Sequence, residues 1–302
     1  LFTWSPSTLD IGSHVMTFIA SDGSLADSET VTINVIDSTG ATVVNVQMED
    51  GWNMVSVPVV VSDYLKTTLF PTAASAAFSY QGGYSPRDTL KNGPGYWLKY
   101  SANQSVDLGG TIMTLDSINV DQRWNVVGSL SIPIPVSHVK SVSPVTISSA
   151  FYGFSNSTGY TSTDTLKPGE AYWVKVSQAG KVVLDTAAPN MSPVIQSTPS
   201  SWSEKSAGSS FNCLIFTDAR GRTRSLYLSP ERLNNIDEFE LPPLPPTDVF
   251  DVRFESQHAV ASPERAEEAV TISGAAYPVT ISWGLMSGQG GWMLEASDGA
   301  AR

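Results

Sequence analysis

The chain contains two copies of one motif, and this internal repeat constrains the fold more than any other feature of the sequence. Residues 51–108 and 123–184 share, in the same order, the pairs Trp-Asn and Gly-Tyr, the run Asp-Thr-Leu-Lys and the pair Tyr-Trp. The offset between the copies rises from 72 residues at Trp-Asn to 76 residues at Tyr-Trp, so one copy carries a short insertion. The repeat predicts two tandem modules, each short enough to need its neighbour for burial.

Alternating apolar and polar residues predict β-strands along almost the whole chain. Val31, Ile33 and Val35 alternate with threonine and asparagine, as in a strand with one buried face. No stretch longer than two turns has the periodicity of an amphipathic helix. Charged residues make up 15% of the chain, against about 25% in a typical domain. We therefore predict an all-β fold that consists of tandem small β-sandwich modules and a C-terminal β-sandwich.

Turn signals and shifts in composition divide the chain into five segments. We predict a β domain at 1–38, repeat 1 at 45–116 and repeat 2 at 117–188. A stretch rich in proline and serine predicts a linker at 189–208, and a C-terminal β-sandwich follows at 209–302. The chain opens inside a predicted strand, so we expect its natural N-terminus to lie elsewhere.

The run ELPPLPP in the last predicted domain stands apart from the strands around it. Proline has no backbone N–H to donate to a sheet, so such a run cannot form a central strand. It predicts a polyproline II segment instead. In the next strand, Phe250, Val252 and Phe254 should lie on one face, and Asp251 and Arg253 on the other.

The charge of the chain argues against two classes of partner. The formal net charge is −12, so a nucleic acid backbone or an anionic membrane surface would be repelled. No run approaches the roughly 20 apolar residues of a membrane helix. We therefore expect no nucleic acid partner and no membrane insertion. The single cysteine, Cys213, excludes an intrachain disulfide framework.

The sequence lacks the motifs that mark common catalytic sites. It has no Gly-x-Ser-x-Gly elbow, no phosphate-binding glycine loop and no His-Glu-x-x-His helix. The three histidines, His14, His138 and His258, fall in three different predicted domains, and none has a second histidine at metal-ligand spacing. We therefore predict a non-enzymatic protein without catalytic residues or an obligatory cofactor.

Calcium is the one metal ion that the residue pattern suggests. Asp22, Asp27 and Glu29 cluster near one predicted hairpin tip, and Asp37 follows at the exit of the domain. Ca²⁺ prefers carboxylate and carbonyl oxygens, but a full site needs about six to eight of them. We keep these four residues as Ca²⁺ candidates whose ligand count falls short, and we predict no other metal site.

Two pairs of adjacent aromatic residues are the main candidates for binding. Tyr96–Trp97 and Tyr172–Trp173 occupy equivalent positions in the two copies. Adjacent residues of a strand point to opposite faces, so one ring of each pair can fill a core while the other covers something else. The second ring of each pair could cover the neighbouring repeat, another subunit or a sugar ring. Packing within or between repeats is the default for large aromatic residues.

Three segments resemble parts of known bacterial surface proteins. The segments FTWSP and GSHVMTFIASDGSLADSETVTINVID resemble the last strands of Ig-like, cadherin-like domains. The resemblance implies that residues 1–38 are a partial Ig-like or cadherin-like domain at the N-terminus, of which only the C-terminal half is present. The tandem GWN and GYW motifs resemble repeats near the C-termini of proteins exported by the type IX secretion system. The stretch from FTDARGRTRSLYLS to GWMLEAS resembles the domain that usually precedes the type IX sorting domain, and the sorting domain itself is not in this sequence.

The resemblance implies an exported protein at the bacterial cell surface, with a structural or adhesive role. We expect self-association, or contacts with other cell-surface proteins or with glycans. A half Ig-like domain would expose an edge strand, and exposed edges recruit strands from other chains, so copies could assemble into a filament. Two alternatives stay open: the carrier region of a secreted hydrolase whose catalytic domain lies upstream, and a set of carbohydrate-binding modules.

Overall fold

The computed structural model describes residues 3–7, 10, 12–35, 40–187, 211–263 and 267–284. The protein is almost entirely β, with several small and mostly antiparallel sheets, so the predicted fold class is confirmed. The predicted linker at 189–208, residues 285–302 and Asp37 lie outside the described residues. In the part of the chain that is described, no helix is both long enough and apolar enough to cross a membrane.

The N-terminal segment forms a β-hairpin of two ten-residue strands. Strand β1 (Gly12–Ser21) pairs with β2 (Ala26–Val35) along its full length. The Asp22 carboxylate holds the turn, because it accepts the backbone N–H groups of Ser24 and Leu25 at 2.9 and 2.8 Å. Several apolar side chains of this hairpin are exposed to solvent: Val15, Phe18, Ile19, Leu25 and Val31.

The first repeat is a sandwich of two antiparallel sheets, which we call module 1. Its elements are β3 (Ala41–Met48), β4 (Gly51–Val55), β5 (Val59–Val60), α1 (Lys66–Leu69), β6 (Ala77–Tyr80), β7 (Tyr84–Arg87), β8 (Tyr96–Tyr100) and β9 (Gln104–Ile112). The strand orders are β3–β9–β5 and β4–β8–β6–β7. The space between the sheets is filled by one cluster of buried apolar side chains, which includes Val46, Phe70, Leu98 and Leu108.

The second repeat, which we call module 2, has the same topology. Its elements are β10 (Leu115–Val120), β11 (Arg123–Val127), β12 (Ile134–Pro135), a 3₁₀ turn (Val136–His138), β13 (Val139–Ser141), β14 (Phe151–Ser155), β15 (Gly159–Thr163), β16 (Thr165–Leu166), β17 (Tyr172–Val176) and β18 (Gly180–Asp185). Its two main sheets have the orders β10–β18–β13 and β11–β17–β14–β15. Strand β10 begins two residues before the predicted start of repeat 2 at 117.

The Trp-Asn motif closes the tight turn between the first two strands of each module. In module 1 the Asn53 side chain accepts the N–H of Glu49 at 2.8 Å and donates to the carbonyls of Glu49 and Gly51 at 2.9 and 3.0 Å. Asn125 makes the same three bonds in module 2, at 2.8, 2.7 and 3.0 Å. The amide therefore satisfies turn groups that the sheet itself does not pair.

The Asp-Thr-Leu-Lys run supports the tyrosine of the Tyr-Trp pair. The backbone N–H of Lys91 donates to the Tyr96 hydroxyl at 3.0 Å, and the N–H of Lys167 donates to the Tyr172 hydroxyl at 2.8 Å. Each tyrosine can thus insert its ring into the core of its own module without leaving its hydroxyl unpaired. Burial raises the pKa of both hydroxyls.

The last domain is a smaller sandwich. Its elements are β19 (Asn212–Thr217), β20 (Thr223–Leu228), a 3₁₀ turn (Ile236–Phe239), β21 (Asp251–Phe254), β22 (Val260–Ala261), β23 (Val270–Ser273) and β24 (Thr280–Gly284). Its sheets have the orders β22–β20–β19–β24 and β21–β23, and β22 runs parallel to β20. As predicted, Phe250, Val252 and Phe254 share one core. The proline-rich run lies between the 3₁₀ turn and β21.

We predict that Asn53→Ala and Asn125→Ala each destabilise the protein by about 1–2 kcal/mol, because each removes the three hydrogen bonds with which the amide holds its turn. Urea unfolding followed by tryptophan fluorescence measures the effect. The control is Asn119→Ala, since Asn119 is exposed on β10; its effect should stay within about 0.5 kcal/mol. Equal effects of all three changes would contradict the assigned role of the motif.

Candidate interaction site at an aromatic junction

The four-stranded sheets of the two modules pack against each other through aromatic side chains. Trp97 of β8 and Trp173 of β17 lie at the centre of this contact, and both are 0% exposed. The ring of Tyr80 lies 4.8 Å from that of Trp173, and the ring of Phe154 lies 4.8 Å from that of Trp97, both edge to face. Each tryptophan thus packs on an aromatic residue of the other module. We call this cluster the aromatic junction.

Reciprocal backbone hydrogen bonds relate the two modules by an approximate two-fold axis. The N–H of Gly95 donates to the carbonyl of Val126 at 3.0 Å, and the N–H of Ala171 donates to the carbonyl of Met54 at 3.1 Å. The donors are equivalent residues of the two copies, and so are the acceptors. A Cβ atom at Gly95 would lie only 2.4 Å from the Cβ of Ala171, so this close approach requires glycine there.

The structure places all four predicted aromatic candidates inside the protein. Tyr96 and Tyr172 belong to the separate cores of module 1 and module 2. Trp97 and Trp173 belong to the aromatic junction between the modules. The most exposed of the four, Tyr96, is 3% exposed, so none of these rings has a face on which a sugar could stack.

The predicted Ca²⁺ candidates are only partly described. The Asp22 carboxylate binds its own turn, and the Asp27 carboxylate accepts the N–H of Ser28 at 2.9 Å. Among the residues that the structure describes, no group of three or more His, Cys, Asp or Glu side chains could hold a metal ion. Glu29 is on β2 and Asp37 lies outside the described residues, so a site that uses all four stays a prediction.

The aromatic junction also receives the proline-rich run of the last domain, residues 240–248, which we call the proline segment. The hydroxyl of Tyr84 donates to the carbonyl of Leu244 at 2.7 Å, and the hydroxyl of Tyr160 donates to the carbonyl of Pro243 at 2.9 Å. Tyr84 and Tyr160 are equivalent residues of the two Gly-Tyr motifs. Two donors related by the approximate two-fold axis therefore bind consecutive carbonyls of one segment.

Module 2 binds the start of the proline segment through the Glu240 carboxylate. This carboxylate accepts hydrogen bonds from the indole of Trp124 at 2.9 Å and from the guanidinium of Arg123 at 2.8 Å, and it pairs with the ammonium of Lys175. Burial alone would raise the pKa of Glu240, but Lys175, Trp124 and Arg123 outweigh burial and lower the pKa below its ordinary value.

Module 1 binds the end of the same segment with equivalent residues. The indole of Trp52 donates to the carbonyl of Thr247 at 3.0 Å, and the ammonium of Lys99 lies 3.6 Å from the Asp248 carboxylate. Trp52 and Lys99 are the counterparts of the tryptophan and lysine that bind Glu240 in module 2. The Lys99 contact is exposed to solvent, so it stabilises less than the half-buried contacts of Glu240.

Sequence reasoning assigned no role to the residues that hold the proline segment. These are the equivalent pairs Trp52 and Trp124, Tyr84 and Tyr160, and Lys99 and Lys175. A signal was present, because each pair is identical in both copies and includes a hydrogen-bond donor. The repeat alone could not reveal the partner, which comes from a different domain.

A shallow cleft of about 610 Å³ lies beside the contact of module 2 with the proline segment. Its walls combine aromatic rings with amide side chains: Tyr80, Gln81, Gln122, Trp124, Asn125 and Gln257. Comparisons with protein-family models, curated proteins and solved structures found no match for this chain.

We predict that Trp97→Ala destabilises the protein by about 3–5 kcal/mol, because it removes a large buried ring from the contact of the two modules. The control is Trp283→Ala, since Trp283 is 61% exposed on β24; its effect should be below about 0.5 kcal/mol. Urea unfolding followed by circular dichroism compares the two variants. Similar small losses in both would contradict the central position of Trp97.

We also predict that acid weakens the attachment of the last domain through Glu240. The folded-state pKa of this group is lowered, so its carboxylate stabilises the docked form above the unfolded pKa of about 4.3. That contribution is lost as the pH falls through the lower folded-state value. Glu240→Gln should therefore be less stable than the parent chain at pH 6, and the difference should shrink towards pH 3.

The measurement is the midpoint of urea unfolding at pH 6, 4.5 and 3. The control is Glu255→Gln, because Glu255 is exposed and lies in the same domain. It should track the parent chain at every pH. A difference between Glu240→Gln and the parent that does not change with pH would count against an ionised, buried Glu240.

Proposed function

We propose that this chain is a non-enzymatic, extracellular structural part of a bacterial surface protein. The observation that supports this proposal is the aromatic junction, where two modules and the last domain contribute to one buried cluster. Domains that move independently usually meet through small, polar interfaces. A buried apolar cluster shared by three domains opposes such motion, so the three domains would act as one rigid unit.

A rigid unit of this kind suits a spacer or an adhesive support. It holds whatever is attached to its ends at a fixed distance and orientation. The export route and the location at the cell surface are supported by the quoted GWN and GYW motifs and by the other type IX-like segments. A direct check is small-angle scattering of the full chain, in which a rigid unit gives one compact shape for the two modules and the last domain together.

We further propose that the N-terminal hairpin is the surface through which copies associate. A two-stranded hairpin is at best marginally stable alone in water. In the described residues, β1 and β2 pair only with each other, which leaves the outer edge of each strand free to add another strand. Val15 and Ile19 are about 70% exposed (69% and 71%) on one face, so association would also bury apolar surface.

The test is electron microscopy and native mass spectrometry of the chain at rising concentration. The parent chain should form dimers or filaments, whereas Ile19→Lys should stay monomeric because a charge on that face opposes burial. The control is Val43→Lys, since Val43 is 66% exposed on β3 of module 1; this variant should assemble like the parent. If the parent is monomeric at every concentration, or if both variants behave alike, assembly through the hairpin is wrong.

Glycan binding is a second candidate, which the cleft beside Trp124 favours. Amide side chains can pair with sugar hydroxyls, and the aromatic residues Tyr80 and Trp124 also line the cleft. A glycan array compares the parent chain with Gln81→Ala and Gln257→Ala. Retention that both changes reduce supports this candidate, and no retention of the parent chain ends it.

A further inference from the structure

We propose that modules 1 and 2 together form a receptor groove for extended, proline-rich peptides that carry a carboxylate near each end. The proline segment of the last domain is then the ligand that the chain supplies to itself. The groove consists of the edge of the aromatic junction and the six equivalent residues that hold the segment. This inference concerns recognition, and it holds whether or not the chain assembles at a cell surface.

The hydrogen-bonding groups of the groove match a proline-rich ligand and not an ordinary strand. The module groups that contact the segment are donors: two tyrosine hydroxyls, two indole N–H groups and three cationic side chains. An ordinary strand would also present N–H groups, which need acceptors. Four of the segment's nine residues are prolines without an N–H: Pro242, Pro243, Pro245 and Pro246.

Three consecutive carbonyls of the segment, those of Pro242, Pro243 and Leu244, accept hydrogen bonds from three different side chains. The carbonyl of Pro246 accepts the N–H of Val249 at 3.4 Å, whereas carbonyls before it accept hydrogen bonds from side chains elsewhere in the protein. Arg253 donates to the carbonyl of Pro242 at 3.0 Å from within the last domain. The next two carbonyls go to Tyr160 and Tyr84 of the modules. The middle of the segment is thus bound by one tyrosine hydroxyl from each module.

The acidic residues at the two ends of the segment form ion pairs with the modules. Glu240 meets Lys175 and Arg123 at one end, and Asp248 meets Lys99 at the other. Seven residues lie between the two acidic residues. The segment turns at Asp248, since the N–H of Val249 donates to the carbonyl of Pro246 at 3.4 Å and Asp248 has a φ of 73°. The chain as a whole has a net charge of −12. Positively charged side chains at both ends of one groove would therefore favour a ligand that has carboxylates at those positions.

An ordinary contact between domains would differ from a receptor groove in one measurable way. A receptor groove recognises the segment as a free peptide, whereas an ordinary contact needs the whole folded domain. In the parent chain the tethered segment occupies the groove at an effective concentration in the mM range, which excludes a free competitor. The groove must therefore be freed before binding can be measured.

The experiment uses the full chain with Glu240→Ala and Asp248→Ala, which removes both charged ends of the internal ligand. Hydrogen–deuterium exchange of residues 238–249 should rise, compared with the parent chain and with the control Glu231→Ala and Glu255→Ala. That control removes two exposed charges from the same domain. If exchange does not rise, the carboxylates do not hold the segment in the groove, and the proposal is overturned.

A labelled peptide of residues 238–249 is then titrated into each chain, and binding is followed by fluorescence anisotropy. The peptide should bind the freed chain saturably and bind the parent chain at least about ten-fold more weakly. The same peptide with Gln and Asn in place of its carboxylates at positions 240 and 248 should also lose about ten-fold. No binding to the freed chain, or equal binding of both peptides, would overturn the proposal.

The groove side is tested by adding Tyr84→Phe and Tyr160→Phe to the freed chain. These changes keep both rings and remove only the hydroxyls that bind the two carbonyls. We expect the peptide to bind about ten-fold more weakly. Unchanged affinity would show that the peptide binds elsewhere, and it would overturn the assignment of the groove.

Discussion

The whole structure depends on burying a second aromatic face of each module. Each module already has its own core between its two sheets. The outer face of its four-stranded sheet is aromatic as well, and that face cannot stay in water without a large cost. The repeats cover these faces with each other, and Trp97 and Trp173 are therefore completely buried. The short, identical motifs of the two copies are what allow this nearly symmetric contact.

The approximate two-fold symmetry of the modules explains how one segment of the last domain can be held at both ends. A single segment has no such symmetry, so the two equivalent sets of donors act on different groups. One tryptophan binds the Glu240 side chain, and its counterpart binds the carbonyl of Thr247. Behind the segment, Arg253 is 1% exposed and pairs with Asp251. Both faces of β21 are thus buried, one in the core of the last domain and one beneath the proline segment.

The N-terminal hairpin presents the opposite situation. Its strands are regular and its turn is well held, yet its apolar side chains remain exposed in the described structure. The aromatic surfaces of the modules are instead buried against each other and against the last domain. This contrast supports the proposed structural role, in which the modules and the last domain form one rigid unit and copies associate through the hairpin.

Local chemistry in the sequence was sufficient for the β class, the tandem repeat and the hairpin turn at Asp22, whereas the polyproline II conformation of the proline-rich run stays a prediction. Each of these depends on neighbouring residues, through the period of two in a strand and the conformational limits of glycine and proline. The same period predicted that Tyr96 and Trp97 lie on opposite faces. Only the tertiary structure decided what each face contacts. The partner of Trp52 lies 195 residues away, and no local pattern encodes a contact that long-range packing of three domains creates.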